Sequence, residues 1–343
     1  MAAVLVQSLN HFLEQEIRVG SFPGAGYAIG STRALEHENA LGNAVAVPLR
    51  LAATPDTIYD CASLTKVLVT TILVLQAVAE KRIALDDEYR GYTYRELLTH
   101  TSGLRAWLPL YALSEEGGRP VRPGGGRDVR PLYVRAIEER GPEHPRGSQA
   151  VYSDLNFVLL YHALHEIFGD YVSAARERIF APLGLRDAMF NPPASLRPRI
   201  AATEWGQRFE FGMCASRSIA FHGFRQGLMW GETNDGNSFH AGGTCGNAGL
   251  FATARDVFRI AQAFACGELV PPALVEESTR VHAGDRGLGW QISELGYGHN
   301  GFTGTSLWID GERISVLLTN RVHPCAAPIA MQRIRSTFHG MKT

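Results

Sequence analysis

Lysine is the residue this chain nearly lacks. Of 33 basic residues in a chain of 343, only Lys66, Lys81 and Lys342 are lysines. Other absences set wider bounds. The formal net charge is −1 and no basic stripe interrupts the sequence, so no nucleic-acid partner is expected. The five cysteines are an odd number without a C-x-x-C pair, which points to neither a disulfide framework nor a zinc knuckle. They read as small buried apolar residues in a reducing compartment. No run of about eighteen apolar residues occurs, so no membrane span is expected. The opening segment, MAAVLVQSLNHFLEQEIRVG, has no basic n-region and its apolar run stops at Gln7. It does not read as a signal peptide. The expectation is a cytoplasmic protein, with the periplasm or secretion open if a leader has been removed. No repeat period of about 20 to 50 residues is visible. No G-x-S-x-G elbow is present, which argues against an α/β-hydrolase. His162 and His165 share a helix face, but HALHE is not H-E-x-x-H and no third ligand is in sight, so neither a metal nor another cofactor is expected.

What is present describes a globular enzyme-sized chain. Hydrophobic residues make up 45% and charged residues 20%, the balance of an ordinary soluble protein with a large core. Leu5, Leu9, Phe12, Leu13 and Ile17 recur at helical spacing, so the chain opens with an amphipathic helix. GAGYAIGS (24–31) and NAVAVPLR (43–50) read as strands with a polar loop between them. TSLWID (305–310) and RISVLLTN (313–320) flank an Asp-Gly turn signal and read as a hairpin. Between these ends the pattern is mostly helical, in KVLVTTILVLQAVAEKR, YRELLTH, PLYVRAIEER, DLNFVLLYHALHEIFG and TARDVFRIAQAF. The first of these is apolar nearly all round, the mark of a helix buried on every side. EEGGRPVRPGGGRD (115–128) reads as an exposed mobile loop. Strands at both ends with helices between them suggest an α/β (α+β) fold with an inserted helical part. The expected division is an α/β sheet subdomain of 1–66 and 286–343, with 67–285 mainly helical.

One stretch asks for a chemical reading. In DCASLTKVLVTT, Ser63 ends a loop and Lys66 sits three residues on in an apolar run. A plain N-cap would explain Ser63 but not Lys66. Residues i and i+3 share a helix face, so the two side chains can meet. An arginine there would stay charged, whereas a lysine can lose its proton when desolvated or placed against the positive end of a helix. Ser-x-x-Lys therefore offers a hydroxyl beside a candidate base, with the Ser63 amide available to a developing oxyanion. Alone, the pattern is weak.

DTIYDCASLTKVLVTTILVLQ followed by YRELLTHTSGL resembles the serine β-lactamase and penicillin-binding-protein superfamily. The nearest likeness is its class C branch, which includes family VIII carboxylesterases and D-stereospecific peptidases. Three ordered motifs carry the resemblance: Ser63-Leu-Thr-Lys66 for S-x-x-K, Tyr152-Ser153-Asp154 for Y-x-N, and His299-Asn300-Gly301 for K-T-G or H-x-G. GGTCGNAGLFATARDV resembles the small-residue segment before a late helix. The resemblance implies an antiparallel sheet from both chain ends, flanked by helices, with an all-helical insertion. It implies acyl transfer through Ser63, with Lys66 and Tyr152 moving protons and the amides of Ser63 and Phe302 forming the oxyanion hole. Asp154, His299, Asn300 and Gly301 fall on the substrate-binding side. The substrate is then a small ester, amide or β-lactam. Two alternatives are a D-aminoacyl peptidase or carboxypeptidase of the same fold, and a non-catalytic penicillin-binding-like sensor. The oligomeric state is open.

Two departures bear on chemistry. Asp154 replaces the asparagine of Y-x-N. A carboxylate near Lys66 would hold it as an ammonium, unless Asp154 points elsewhere. If it points at Lys66, Tyr152 carries more of the proton transfer. His299 replaces the lysine of K-T-G and is mostly neutral at pH 7, which weakens an anion anchor and favours neutral esters. Arg321 could compensate. Asp256 after Thr253 reads as a capping pair, and Glu204 is either a cavity residue or a surface glutamate.

Overall fold

A computed structural model of the chain describes residues 2–113, 129–326 and 329–341. The loop expected at 115–128 lies outside the described residues. The central element is a seven-stranded antiparallel sheet. Its strands are β1 (Gly24–Ser31), β2 (Leu35–Val45), β3 (Leu51–Ala52), β4 (Gln291–Ser293), β5 (Gly296–Asn300), β6 (Ser306–Asp310) and β7 (Arg313–Thr319). They lie in the order β3-β2-β1-β7-β6-β5-β4. The first and last parts of the chain meet where β1 pairs with β7, from Ala25 opposite Thr319 to Ser31 opposite Arg313. The hairpin read from the sequence is β6–β7, closed with Asp310 opposite Arg313. Gly311 at its tip has φ +60°, a left-handed conformation that glycine adopts without a Cβ penalty.

One expected strand is displaced. The second strand runs Leu35–Val45, and residues 46–50 lie outside any strand. The supposed polar loop is thus the body of β2. None of residues 35–43 is fully buried, so the strand lacks the alternation that betrays a half-buried strand. The apolar run at 44–47 marks only its buried end, and Pro48 has no N–H to add to a ladder.

Helices cover both faces. On one, α1 (Ala2–Arg18) and the C-terminal α5 (Met331–Gly340) bury Leu5, Leu9, Leu13, Ile334 and Phe338 against Tyr27 and Leu317. The other face meets the main core. There α2 (Thr71–Ala79), α3 (Asp154–Phe168) and α4 (Ala254–Ala265) pack with Val67, Leu68, Leu160 and Phe264, each fully buried. Each such side chain contributes about 1.5–3 kcal/mol of transfer free energy. Residues 67–75 are all buried, which is why this helix shows no polar face. Its first turn, Lys66–Thr70, is a π-turn, an irregularity frequent at functional sites. Helix α4 begins with the expected capping pair: the Thr253 hydroxyl accepts from the Asp256 amide, and Asp256 accepts from Thr253. No helix among the described residues is long and apolar enough to cross a membrane. All five cysteines are free thiols.

Candidate active site

The turn that presents Ser63 is braced from below. Tyr59–Asp60 pairs with Phe251–Ala252, and the chain then turns sharply at Ala62, whose φ is +47°. A non-glycine residue there is strained and persists because its surroundings fix it. The Asp60 carboxylate supplies part of that fixing, accepting from the Ala62 amide at 2.9 Å and from the Asn234 amide at 2.6 Å. Burial pushes the Asp60 carboxyl up to about 6, against the pull of those two amides. The backbone of the third motif closes on the same turn. Thr303 Oγ1 donates to the Asp60 carbonyl at 2.8 Å, and Thr305 Oγ1 to the Cys61 carbonyl at 3.0 Å. A Cβ on Gly301 would stand 2.8 Å from the Cys61 carbonyl oxygen and 2.0 Å from Thr305 Oγ1, so only glycine fits this approach.

Lys66 is fully buried, with two hydrogen bonds and one ion pair. Nζ lies 3.0 Å from Ser63 Oγ, 2.9 Å from the Asn247 carbonyl oxygen and 2.7 Å from Asp154 Oδ1. Burial is the largest single influence on this amine and pushes its pKa down. Asp154, helped by Tyr152, more than reverses it, and Lys66 ends above its ordinary value. Asp154 does not point elsewhere. It occupies the first turn of α3, where the helix N-terminus favours a carboxylate, and its own amide is held by the Ala106 carbonyl.

Tyr152 completes the group, its hydroxyl 2.9 Å from Ser63 Oγ. Its ring is packed between two histidines, His100 at 4.8 Å and His299 at 5.7 Å between centroids. Burial raises the phenol above its usual range, with Lys66 drawing it down and Asp154 raising it further. His100 Nδ1 accepts from the Ser153 amide at 3.0 Å, which fixes the second motif. His299 Nδ1 faces the Asn300 carbonyl at 2.8 Å, a contact only an Nδ1–H can make, so in the neutral ring Nε2 carries the lone pair. Burial first, and then the charges of Lys66 and Arg286, hold His299 well below its ordinary pKa. The imidazole is neutral.

The structure thus gathers Ser63, Tyr152, Asp154, His299, Asn300, Gly301 and Phe302 around one cavity of about 650 Å³, with Lys66 fully buried behind Ser63 and not itself lining it. Among the described residues, nothing accepts from the amide of Ser63 or of Phe302, so both are available to an incoming oxygen. Glu204 is also a cavity residue, 2% exposed, its carboxylate accepting from the Phe209 amide. Several cavity or support residues were not read from sequence: Asp60, Asn247, Arg286 and Arg335. Asn247 acts through its carbonyl, which leaves no mark on residue identity beyond the small-residue segment around it. Arg335 sits on α5 and donates to the carbonyls of Gly301 and Thr305. Arg321 donates to the Phe302 carbonyl at 2.8 Å. A wall of Trp107, Phe209, Met213 and Phe302 makes part of the cavity apolar.

Residues 9–336 match the protein-family model described as Beta-lactamase. Over 94% of its length the chain is 27% identical to a protein of Escherichia coli (strain K12) named "Putative D-alanyl-D-alanine carboxypeptidase", covering 84% of that protein. Among solved structures it is similar to the octameric penicillin-binding protein homologue from Pyrococcus abyssi, with a TM-score of 0.72 and 19% identity over 98% of this chain and 77% of that one. It is similar to EstCE1, described as a hydrolase with promiscuous acyltransferase activity, with a TM-score of 0.70 and 18% identity over 98% of both chains.

Proposed function

The chain belongs to the β-lactamase family and is a serine-hydrolase-like enzyme of the β-lactamase and penicillin-binding-protein superfamily; from that premise we propose that it works through an acyl-enzyme on Ser63, with Tyr152 as the proton carrier and Lys66 as a fixed positive charge. One observation carries this reading. The Lys66 ammonium and the Tyr152 hydroxyl both converge on Ser63 Oγ, at 3.0 and 2.9 Å, while Asp154 keeps the lysine protonated.

The steps follow from which group can lose a proton. Lys66, held as an ammonium by the Asp154 carboxylate 2.7 Å away, gives none up and takes none. Tyr152 in its phenolate form takes the Ser63 proton as Oγ bonds to the substrate carbonyl carbon. The oxyanion so formed is received by the amides of Ser63 and Phe302. Tyr152 then hands that proton to the leaving oxygen or nitrogen as its bond to carbon breaks, leaving the acyl group on Ser63. Water attacks the acyl carbon, Tyr152 takes its proton, and Oγ departs carrying that proton back. Lys66 stabilises the phenolate throughout, at 5.1 Å from the ring centre.

Small esters and amides are the proposed substrates. The neutral His299 supplies no ammonium to hold a carboxylate, which favours uncharged esters. A second reading, a D-alanyl peptidase, is favoured by Arg286, Arg321 and Arg335, which also line the cavity and are suited to a carboxylate. Intact-mass spectrometry after exposure to p-nitrophenyl esters, D-alanyl peptides and β-lactams tests both. The expected result is an acyl adduct mapped to Ser63, formed fastest with esters. Adducts on another residue, or none with any of the panel, would reject the mechanism.

A further inference from the structure

The proposed chemistry asks for a phenolate at Tyr152, yet the third motif offers no cation to help form it. A lysine in that motif would place a charge beside the Tyr152 ring; His299 stands there instead, buried and neutral. The charge comes from another residue. The Arg286 guanidinium carbon lies 5.4 Å from the centre of the Tyr152 ring, and Arg286 lines the same cavity. A guanidinium against a desolvated aromatic ring interacts more strongly with the anionic ring than with the neutral one.

Arg286 is built to stay in that place. Its backbone is tied into a tight turn, the amide donating to the Ala283 carbonyl and the carbonyl accepting from His282 and Ala283. Its Nε pairs with Asp285 Oδ1 at 3.1 Å. The other oxygen of Asp285 accepts from Gln291 Nε2 at 2.8 Å, and Gln291 in turn receives Asn300 Nδ2 at 3.4 Å. The arginine is thereby linked to the third motif itself.

We propose that Arg286 is a positioning residue for Tyr152, its guanidinium supplying the second positive charge that favours the phenolate over the phenol. This rests on the reading of Tyr152 as the proton carrier. The groups that face the Tyr152 side chain are Ser63 and Lys66 from the nucleophile turn, Asp154 at the start of α3, His100, His299 from β5, and Arg286. Asp235 lines the same cavity and interacts electrostatically with Asp154 and Lys66. The two histidines are neutral, and Asp154 offsets Lys66. Arg286 is then the second cation beside this ring; its own counter-charge, Asp285, is half-exposed and pairs with Nε at 3.1 Å, a looser partner than the Asp154 that sits 2.7 Å from Lys66.

The test is the pH profile of kcat/KM on p-nitrophenyl acetate, a substrate with no carboxylate for an arginine to hold. Arg286→Gln should move the acid limb to higher pH by about one unit, a roughly tenfold loss at pH 7 that closes as the pH rises. Arg286→Lys should restore most of the limb. Asp285→Asn, which removes the counter-charge of Arg286, should move it the opposite way, to lower pH, and by less. A loss equal at every pH would make Arg286 merely structural. An unmoved limb, with a higher KM on carboxylate-bearing substrates alone, would make it a substrate anchor. Either outcome overturns the proposal. Failure of the wild type to form a Ser63 adduct would instead reject the underlying mechanism, so the two failures are told apart.

Discussion

The two walls of the cavity handle buried charge in opposite ways. On the helical wall, Lys66 is fully buried and remains charged because Asp154 sits 2.7 Å away with Asn247 and Ser63 completing its shell. On the sheet wall, His299 is 3% exposed, has no carboxylate partner among the described residues, and gives up its charge instead. Burial opposes the charge in both places. What differs is whether an anion was supplied. The lesson is that a lysine in a serine hydrolase motif is not a base by virtue of its type. Its partner decides, which is why the proposed mechanism assigns the proton transfer to Tyr152, between the two walls.

Substitutions on either wall should separate these behaviours. Ser63→Ala should lower kcat/KM by about 10⁴-fold or more while shifting Tm by less than about 2 °C, because a partly exposed cavity-lining hydroxyl contributes little packing. Ester hydrolysis and thermal melts measured on one preparation check both. Tyr152→Phe comes next, with a loss of about 10³-fold in kcat and little change in KM; a loss below tenfold would return the base role to Lys66. Asp154→Asn should move the acid limb of the pH–rate profile down by about 1–2 units. The sign follows from the causes. Asp154 raises both the Lys66 and Tyr152 pKa values, so its removal lets the phenol ionise at lower pH while Lys66 is charged, and lets Lys66 itself accept the proton once burial has neutralised it. A limb that stays in place would mean the carboxylate does not govern the proton transfer. The smallest change is expected on the sheet wall. His299→Gln replaces one neutral group by another and should alter kcat/KM by less than about threefold with no movement of the limb. A shifted limb would show that the imidazole is charged after all.

The legible parts of the fold were those with a strong local signal. The amphipathic α1, the buried helix after Lys66 and the β6–β7 hairpin each announced themselves by period or by the Asp310-Gly311 turn. Strand β2 was misplaced because its residues are polar and only half-buried, leaving hydrogen bonding to β1 as the main reason it is a strand. Helix α5 went unread although Met331, Ile334 and Phe338 lie on one buried face, since ten residues at a chain end give a short pattern. In the site, the three motifs located the residues but not their relations. Nothing in Tyr-Ser-Asp says that the carboxylate turns toward Lys66. That follows from α3 starting beside the π-turn at Lys66–Thr70, a contact between residues almost ninety positions apart. Arg286 and the Asn247 carbonyl were invisible for the same reason: their neighbours come from distant segments.

The scarcity of lysine makes the decisive measurement practical. With only Lys66, Lys81 and Lys342 in the chain, ¹³Cε-lysine labelling gives three resonances, and Lys66→Arg identifies the one of interest. Titrated from about pH 6 to 10, below the ordinary lysine value of about 10.4, the Lys66 signal should hold its ammonium shift in the wild type and move toward the neutral amine at lower pH in Asp154→Asn. A wild-type Lys66 that loses its proton near pH 7 would contradict the fixed-charge role and restore the lysine as the base.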